Sequence, residues 1–70
     1  MYWVSVDLTR AEAVSYDASE RVIYVRFHNG TVYQYENCDS DVWEELIDPD
    51  ISVGRFISDE LDRHPYRRIR

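Results

Sequence analysis

The chain has 70 residues, fourteen acids, eight arginines, no lysine and a net charge of −6. One domain spanning residues 1–70 is the most that this length supports, and a core this small hides only ~60% of the unfolded chain's surface. The charge argues against a generic polyanion binder, because phosphate attraction grows with positive charge. A single cysteine, Cys38, excludes an internal disulfide. It fits a reducing compartment and reads as a small buried apolar group. No apolar stretch follows a basic start, and the apolar runs fall well short of the ~18 residues of a membrane span. A cytoplasmic protein without a membrane partner is expected.

In chain order, Tyr2, Val4, Val6 and Leu8 alternate as in an edge strand or an extended arm, with a turn from Thr9. AEAVSY (11–16) reads as a strand ended by DASE, where Asp17 and Ser19 each form turns through their own backbone. RVIYVRF (21–27) is rich in β-branched and aromatic residues. Its alternation puts Ile23, Val25 and Phe27 on one face and Val22, Tyr24 and Arg26 on the other. HNG follows, and Asn-Gly is the strongest short hairpin signal because both residues tolerate positive φ. TVYQYE (31–36) returns with Tyr33 and Tyr35 on one face and Val32, Gln34 and Glu36 on the other.

The apolar period then changes. Asp39 or Ser40 caps a helix carrying Val42, Trp43, Leu46 and Ile47 on one stripe, and Asp48, forced out of helical geometry by Pro49, ends it. Ser52 caps a second helix with Val53, Phe56, Ile57 and Leu61 on one face, ended near Pro65. The expected fold is α+β: an antiparallel three-stranded meander, four-stranded if the N-terminal segment joins, packed by two C-terminal helices on one sheet face. The predicted core is Val14, Ile23, Val25, Phe27, Tyr33, Tyr35, Leu46, Phe56, Ile57 and Leu61.

The segments AVSYD (13–17), VIYVRFHNGTVYQY (22–35), VWEEL (42–46) and SVGRF (52–56), with Tyr66 behind them, resemble the KTSC domain. This short module is named after the C-terminal region of some lysyl-tRNA synthetases, and it also occurs as a free-standing small protein in bacteria and phages. Ser15 departs from the family's usual glycine, and Cys38 and Asp39 from its usual valine and proline. The attachment to a tRNA enzyme implies RNA as a ligand class; this is an argument by association.

The charge is segregated along the chain. Glu36 to Asp50 holds seven acids and no base, whereas RHPYRRIR (63–70) holds four arginines and no acid. Two sites for RNA or another phosphate-bearing ligand follow. One is the second helix start, where Ser52, Gly54 and Arg55 surround free amides, a ready anion site. The other is the tail, where Arg63, Arg67, Arg68 and Arg70, with His64 and Tyr66, are placed to reach a nucleic-acid backbone. Each has a structural alternative. Ser52 is then only a cap, Gly54 lets the helix lie tight on the sheet, and Arg55 pairs with an acid of EELIDPD. The tail is then a solvated terminus folded against residues 36–50 of its own or a neighbouring chain.

Tyr33 and Tyr35 are expected to pack inward beneath the helices, the alternative being an outward platform for stacked bases. Tyr24 with Arg26 is the expected exposed aromatic-plus-cation pair. Catalysis, cofactor and metal find no motif: His28 and His64 are not spaced with Cys38 as zinc ligands, and Glu44 and Glu45 point about 100° apart on a helix. A second class of function is a protein-interaction module or phage accessory that binds a host protein. Homodimerisation through an edge strand or the Tyr2–Trp3 arm would relieve the thin core.

Overall fold

The computed structural model describes residues 2–6 and 11–70. Five strands form one antiparallel sheet in sequential order: β1 (Trp3–Ser5), β2 (Ala11–Asp17), β3 (Val22–Phe27), β4 (Val32–Tyr35) and β5 (Tyr66–Arg68). Between β4 and β5 run helix α1 (Ser40–Leu46), helix α2 (Val53–Asp59) and a 3-10 turn at Leu61–Arg63. The expected meander and both helices are present. Five strands replace the three or four expected. The expected Leu8 and Thr9 features lie outside the described residues.

The fifth strand is the principal correction. The tail is not a loose terminus laid along the acidic segment: it pairs with β4 as a strand and meets residues 36–50 at Glu36. Pro65 cannot continue a helix, and the chain turns back along β4. The Glu36 amide donates to the Pro65 carbonyl at 2.8 Å and the Ile69 amide to the Val32 carbonyl at 2.9 Å. Without β5, the outer amides and carbonyls of β4 would be left to water. The second helix is also shorter than the pattern suggested, because the chain tightens into the 3-10 turn before Pro65.

The hairpin at His28–Gly30 differs in detail from expectation. Only Gly30 takes a positive φ, +86°, while Asn29 does not. The Gly30 amide donates to the Phe27 carbonyl at 2.9 Å, and the Asn29 side chain accepts from the Thr31 amide at 3.0 Å. This is the three-residue hairpin with glycine in the left-handed position, rather than the two-residue form that needs positive φ at both residues. At the β2–β3 turn the Asp17 carboxylate accepts from the Ser19 hydroxyl at 2.7 Å and from the Ser19 and Glu20 amides, as expected of these turn formers. Those bonds, the Ser19 hydroxyl foremost, hold its pKa below the usual carboxylate range.

Cross-strand pairing puts Val14, Val25 and Tyr33 in one row and Tyr16, Ile23, Tyr35 and Tyr66 in the next. This face meets the helical layer. Val14, Ile23, Val25, Tyr35, Leu46, Phe56, Ile57 and Leu61 are buried together as predicted, joined by Ala11, Cys38 and Val53. Each large apolar side chain here contributes about 1.5–3 kcal/mol by leaving water. Phe27 and Tyr33 are only half-buried, against the expectation that they belong to the core. The register shift between Ala11 and Ala13 turns Ala11 inward beside Phe27 and sends Glu12 outward.

One knot fastens the helical layer to the sheet. The Cys38 amide donates to the Arg21 carbonyl at 2.8 Å, and the Cys38 carbonyl accepts from the Tyr16 hydroxyl at 2.8 Å. Tyr16 stacks on Trp43 of α1 with ring centroids 5.5 Å apart. Burial, and secondarily the Asp39 carboxylate, raises the Tyr16 pKa. Asp39 precedes α1 as its cap residue, but its side chain makes no cap bond and pairs with Arg21 at 2.9 Å. Ser15 is fully buried, and its hydroxyl donates to the Tyr2 carbonyl, which ties down the arm before β1.

Cys38 is fully buried, as its reading as a small apolar group requires. Burial pushes its thiol from 9.0 up to about 11. Below pH ~9 the thiol is neutral in both folded and unfolded chains. Above it, the unfolded chain loses the proton first, so stability falls as pH rises toward ~11. Tyr16 acts in the same direction, so the informative quantity is a difference between variants. From urea midpoints, the stability advantage of the wild type over Cys38→Ala should shrink by about 2 kcal/mol between pH ~8 and ~10.5. An unchanged gap would mean that the thiol ionises freely in the folded protein.

Candidate functional site

A cleft of about 570 Å³ opens where the helical layer stops short of the hairpin end of the sheet. The sheet contributes Phe27, Tyr33, Tyr35, Tyr66 and Arg68, the hairpin loop adds His28, Asn29 and Thr31, and the helical layer adds only Ile57 and Asp62. The volume lies within the usual range for small-ligand sites. A second cavity of about 340 Å³ lies between Val4–Val6 and the segment from Leu46 to Val53. It is lined mostly by aliphatic side chains, and one Asp48 oxygen there already accepts from the Asp50 amide at 2.9 Å.

Strand register builds the aromatic part of the larger cleft. Tyr66 sits opposite Tyr35, and Arg68 opposite Tyr33. Tyr35 is buried, Tyr33 half-buried, and Tyr66 is 50% exposed. The Tyr66 ring lies 5.5 Å from Tyr35 and 6.1 Å from Tyr33, tilted 27° to the latter. Phe27 meets Tyr33 edge-on at 5.8 Å and 86°. The two tyrosines of the YxY element therefore have different environments. Tyr35 closes the core, while Tyr33 and Tyr66 present ring surface to the cleft.

Arg68 stands at the lip. Its Nε donates to the Arg70 carbonyl at 2.9 Å, which steadies the arm. Among the described residues no carboxylate lies within ion-pair distance of Arg63, Arg67 or Arg68. The three do not act on one surface. Side chains alternate along a strand, so Arg67, opposite Gln34, points to the other sheet face, and Arg63 belongs to the 3-10 turn.

The helix-start candidates lie outside this cleft. Ser52 occupies the cap position of α2, with its carbonyl accepting from the Phe56 amide at 2.9 Å, but its hydroxyl makes no cap bond. Helix α2 is seven residues long, too short to build much of a dipole. Arg55 is 84% exposed and, among the described residues, pairs with Asp59, at 3.9 Å, rather than with an acid of EELIDPD. A Cβ added at Gly54 would meet nothing within 4 Å, so close approach to the sheet does not account for this glycine.

Tyr24 and Arg26 do not form the free pair expected of them. The bulge in β2 brings Glu12 to Arg26 at 2.7 Å, and the guanidinium also lies over the Trp3 ring, 4.7 Å from its centroid. Arg26 is thus engaged on two sides, and Tyr24 is half-buried beside it. Tyr66 was expected as part of the family pattern and of the arginine tail, but not as a neighbour of the YxY rings. The extended Tyr66–Arg68 pair after Pro65, alternating onto one face, was the signal that could have placed it beside the YxY element. Among the described residues no cluster of three or more histidine, cysteine, aspartate or glutamate side chains could hold a metal ion. No helix there is long and apolar enough to cross a membrane.

The KTSC domain family model matches residues 9–66. A protein of Tsukamurella paurometabola is 32% identical over 53 residues, covering 76% of this chain and 78% of that protein. The crystal structure of a KTSC domain protein from Yersinia pestis matches with a TM-score of 0.89 at 21% identity, over 99% of this chain and 97% of that one. At that identity the likeness is one of fold.

The space around Gly54 yields a test of its role. Gly54→Ala should raise stability by about 0.5 kcal/mol, since alanine favours a helix and finds room there. Thermal melting of the two proteins reads this, and a loss of stability would show that the glycine is needed for packing after all.

Proposed function

We propose that this chain, which belongs to the KTSC domain family, is a small non-catalytic module that binds single-stranded RNA or a nucleotide in the Tyr33–Tyr66 cleft. One observation carries the reading: exposed tyrosine ring surface lies beside Arg68, which has no acidic partner among the described residues, in a cleft of nucleotide size. Every base has a π-face, and stacking on an aromatic ring contributes about 1–3 kcal/mol per base. The Arg68 guanidinium supplies donors of the planar kind that suit phosphate. The family's attachment to a tRNA enzyme supports the same ligand class by association. In this reading Tyr33 and Tyr66 hold a base, Tyr35 fixes their positions from the core, and Arg68 meets the phosphate. Ser52, Gly54, Arg55, Arg63 and Arg67 lie outside the cleft and take at most a peripheral part.

A second reading, a protein-interaction module, draws on β5. This strand ends the sheet, all three of its residues are exposed, and Ile69 beyond it is 45% exposed. An extended segment of a partner could add beside it. What co-purifies with the protein separates the two readings: nucleic acid favours the first, a stoichiometric protein partner the second.

Filter binding with tRNA and short oligonucleotides at low salt tests the first reading. Tyr66→Ala and Arg68→Ala should each weaken retention about tenfold. Arg68→Ala should in addition flatten the log–log salt dependence by about one unit, as expected for one lost phosphate contact. Absence of any retention by the wild type at low salt would defeat the reading.

A further inference from the structure

We propose that the cleft selects guanine among the bases and that Asp62 is the residue that reads it. The inference rests on the nucleotide reading above and names its specificity. Asp62 lines the same cleft as Tyr33, Tyr66 and Arg68, and it is exposed. Among the described residues no cation lies within ion-pair distance of it. A carboxylate beside a phosphate subsite repels the ligand unless it faces hydrogen-bond donors. Arg68 projects from the sheet, whereas Asp62 enters from the helical layer. A nucleotide lying on the rings can therefore turn its phosphate to one and its base edge to the other.

Base chemistry then decides among the four. An ionised carboxylate only accepts, through two oxygens side by side. The Watson–Crick edge of guanine offers two adjacent donors, N1–H and N2–H, which match that fork. Adenine and cytosine set an amino donor beside a bare ring nitrogen, whose lone pair opposes the second oxygen. Uracil has one N–H flanked by carbonyls. Recognition of unstacked bases on their Watson–Crick edges, with aromatic stacking, is the usual mode for single-stranded RNA.

Calorimetry on the full chain tests this with 5′-GMP, AMP, CMP and UMP. A uridine hexamer is compared with the same hexamer carrying one guanine. GMP should bind at least tenfold tighter than the others, the scale of one bidentate contact to a base. Asp62→Asn should bring the four within about threefold, with AMP affinity kept. Arg68→Ala should weaken all four alike, and Arg55→Ala should change none. Tighter binding of the guanine hexamer than of GMP supports RNA as the source of the base; equal binding supports a free nucleotide. A guanine preference that survives Asp62→Asn overturns the role of Asp62. Equal binding of all four bases by the wild type overturns guanine selection and leaves the nucleotide reading standing. If no nucleotide or hexamer binds, both fall.

Discussion

The pairing of β5 with β4 is the constraint on which the candidate site depends. It is a short pairing, Tyr33 with Arg68, Gln34 with Arg67 and Tyr35 with Tyr66, extended by the Pro65 and Ile69 backbone bonds at either end. It sets Tyr66 over Tyr35 and Arg68 beside Tyr33. A slip of one residue would send both side chains to the opposite sheet face, because alternation has a period of two. Aromatic contact among Tyr33, Tyr35 and Tyr66 favours the observed register, each such pair contributing about 0.5–1.5 kcal/mol beyond its buried area.

The cleft exists because the helical layer is anchored at one end. Cys38, Tyr16 and Trp43 fasten the start of α1 over the β2–β3 turn. Two seven-residue helices and a 3-10 turn then have to cover a sheet of five strands. They cover Ile23, Val25 and Tyr35 but leave Phe27 and Tyr33 half-exposed at the hairpin end. The same thinness of core that limits stability in a chain of this size thus opens the surface on which a ligand can lie.

Electrostatics works locally here. With a net charge of −6 the molecule as a whole does not draw in polyanions. The arginines nevertheless differ in availability. Arg26 is held by Glu12 and Trp3, Arg21 by Asp39 and Arg55 faces Asp59, whereas Arg68 has no carboxylate partner among the described residues. The exposed pairs contribute at most about 1 kcal/mol each to stability. Their larger effect is to occupy guanidinium groups that composition alone counts as available.

The sequence by itself determined the α+β class, the central hairpin, both helices and most of the core. Those rest on local information: the period-two alternation of 21–27 and 31–36, the helical stripes after Cys38, and the Gly30 and Pro49 breaks. It also separated Tyr33 and Tyr35 from Tyr24 by parity. Tertiary structure decided what local pattern does not contain. That Tyr66–Arg68 forms a strand depends on the unpaired edge of β4, some thirty residues upstream, since a three-residue stretch with two arginines has little strand preference of its own. That Arg26 is engaged depends on a bulge in the neighbouring strand β2, which turns Glu12 toward it. That Tyr33 stays half-open, and that Asp62 shares its cleft, depends on where two short helices run out. These are consequences of long-range geometry, and alternation and spacing in one chain report only which face a side chain takes, never what stands opposite it.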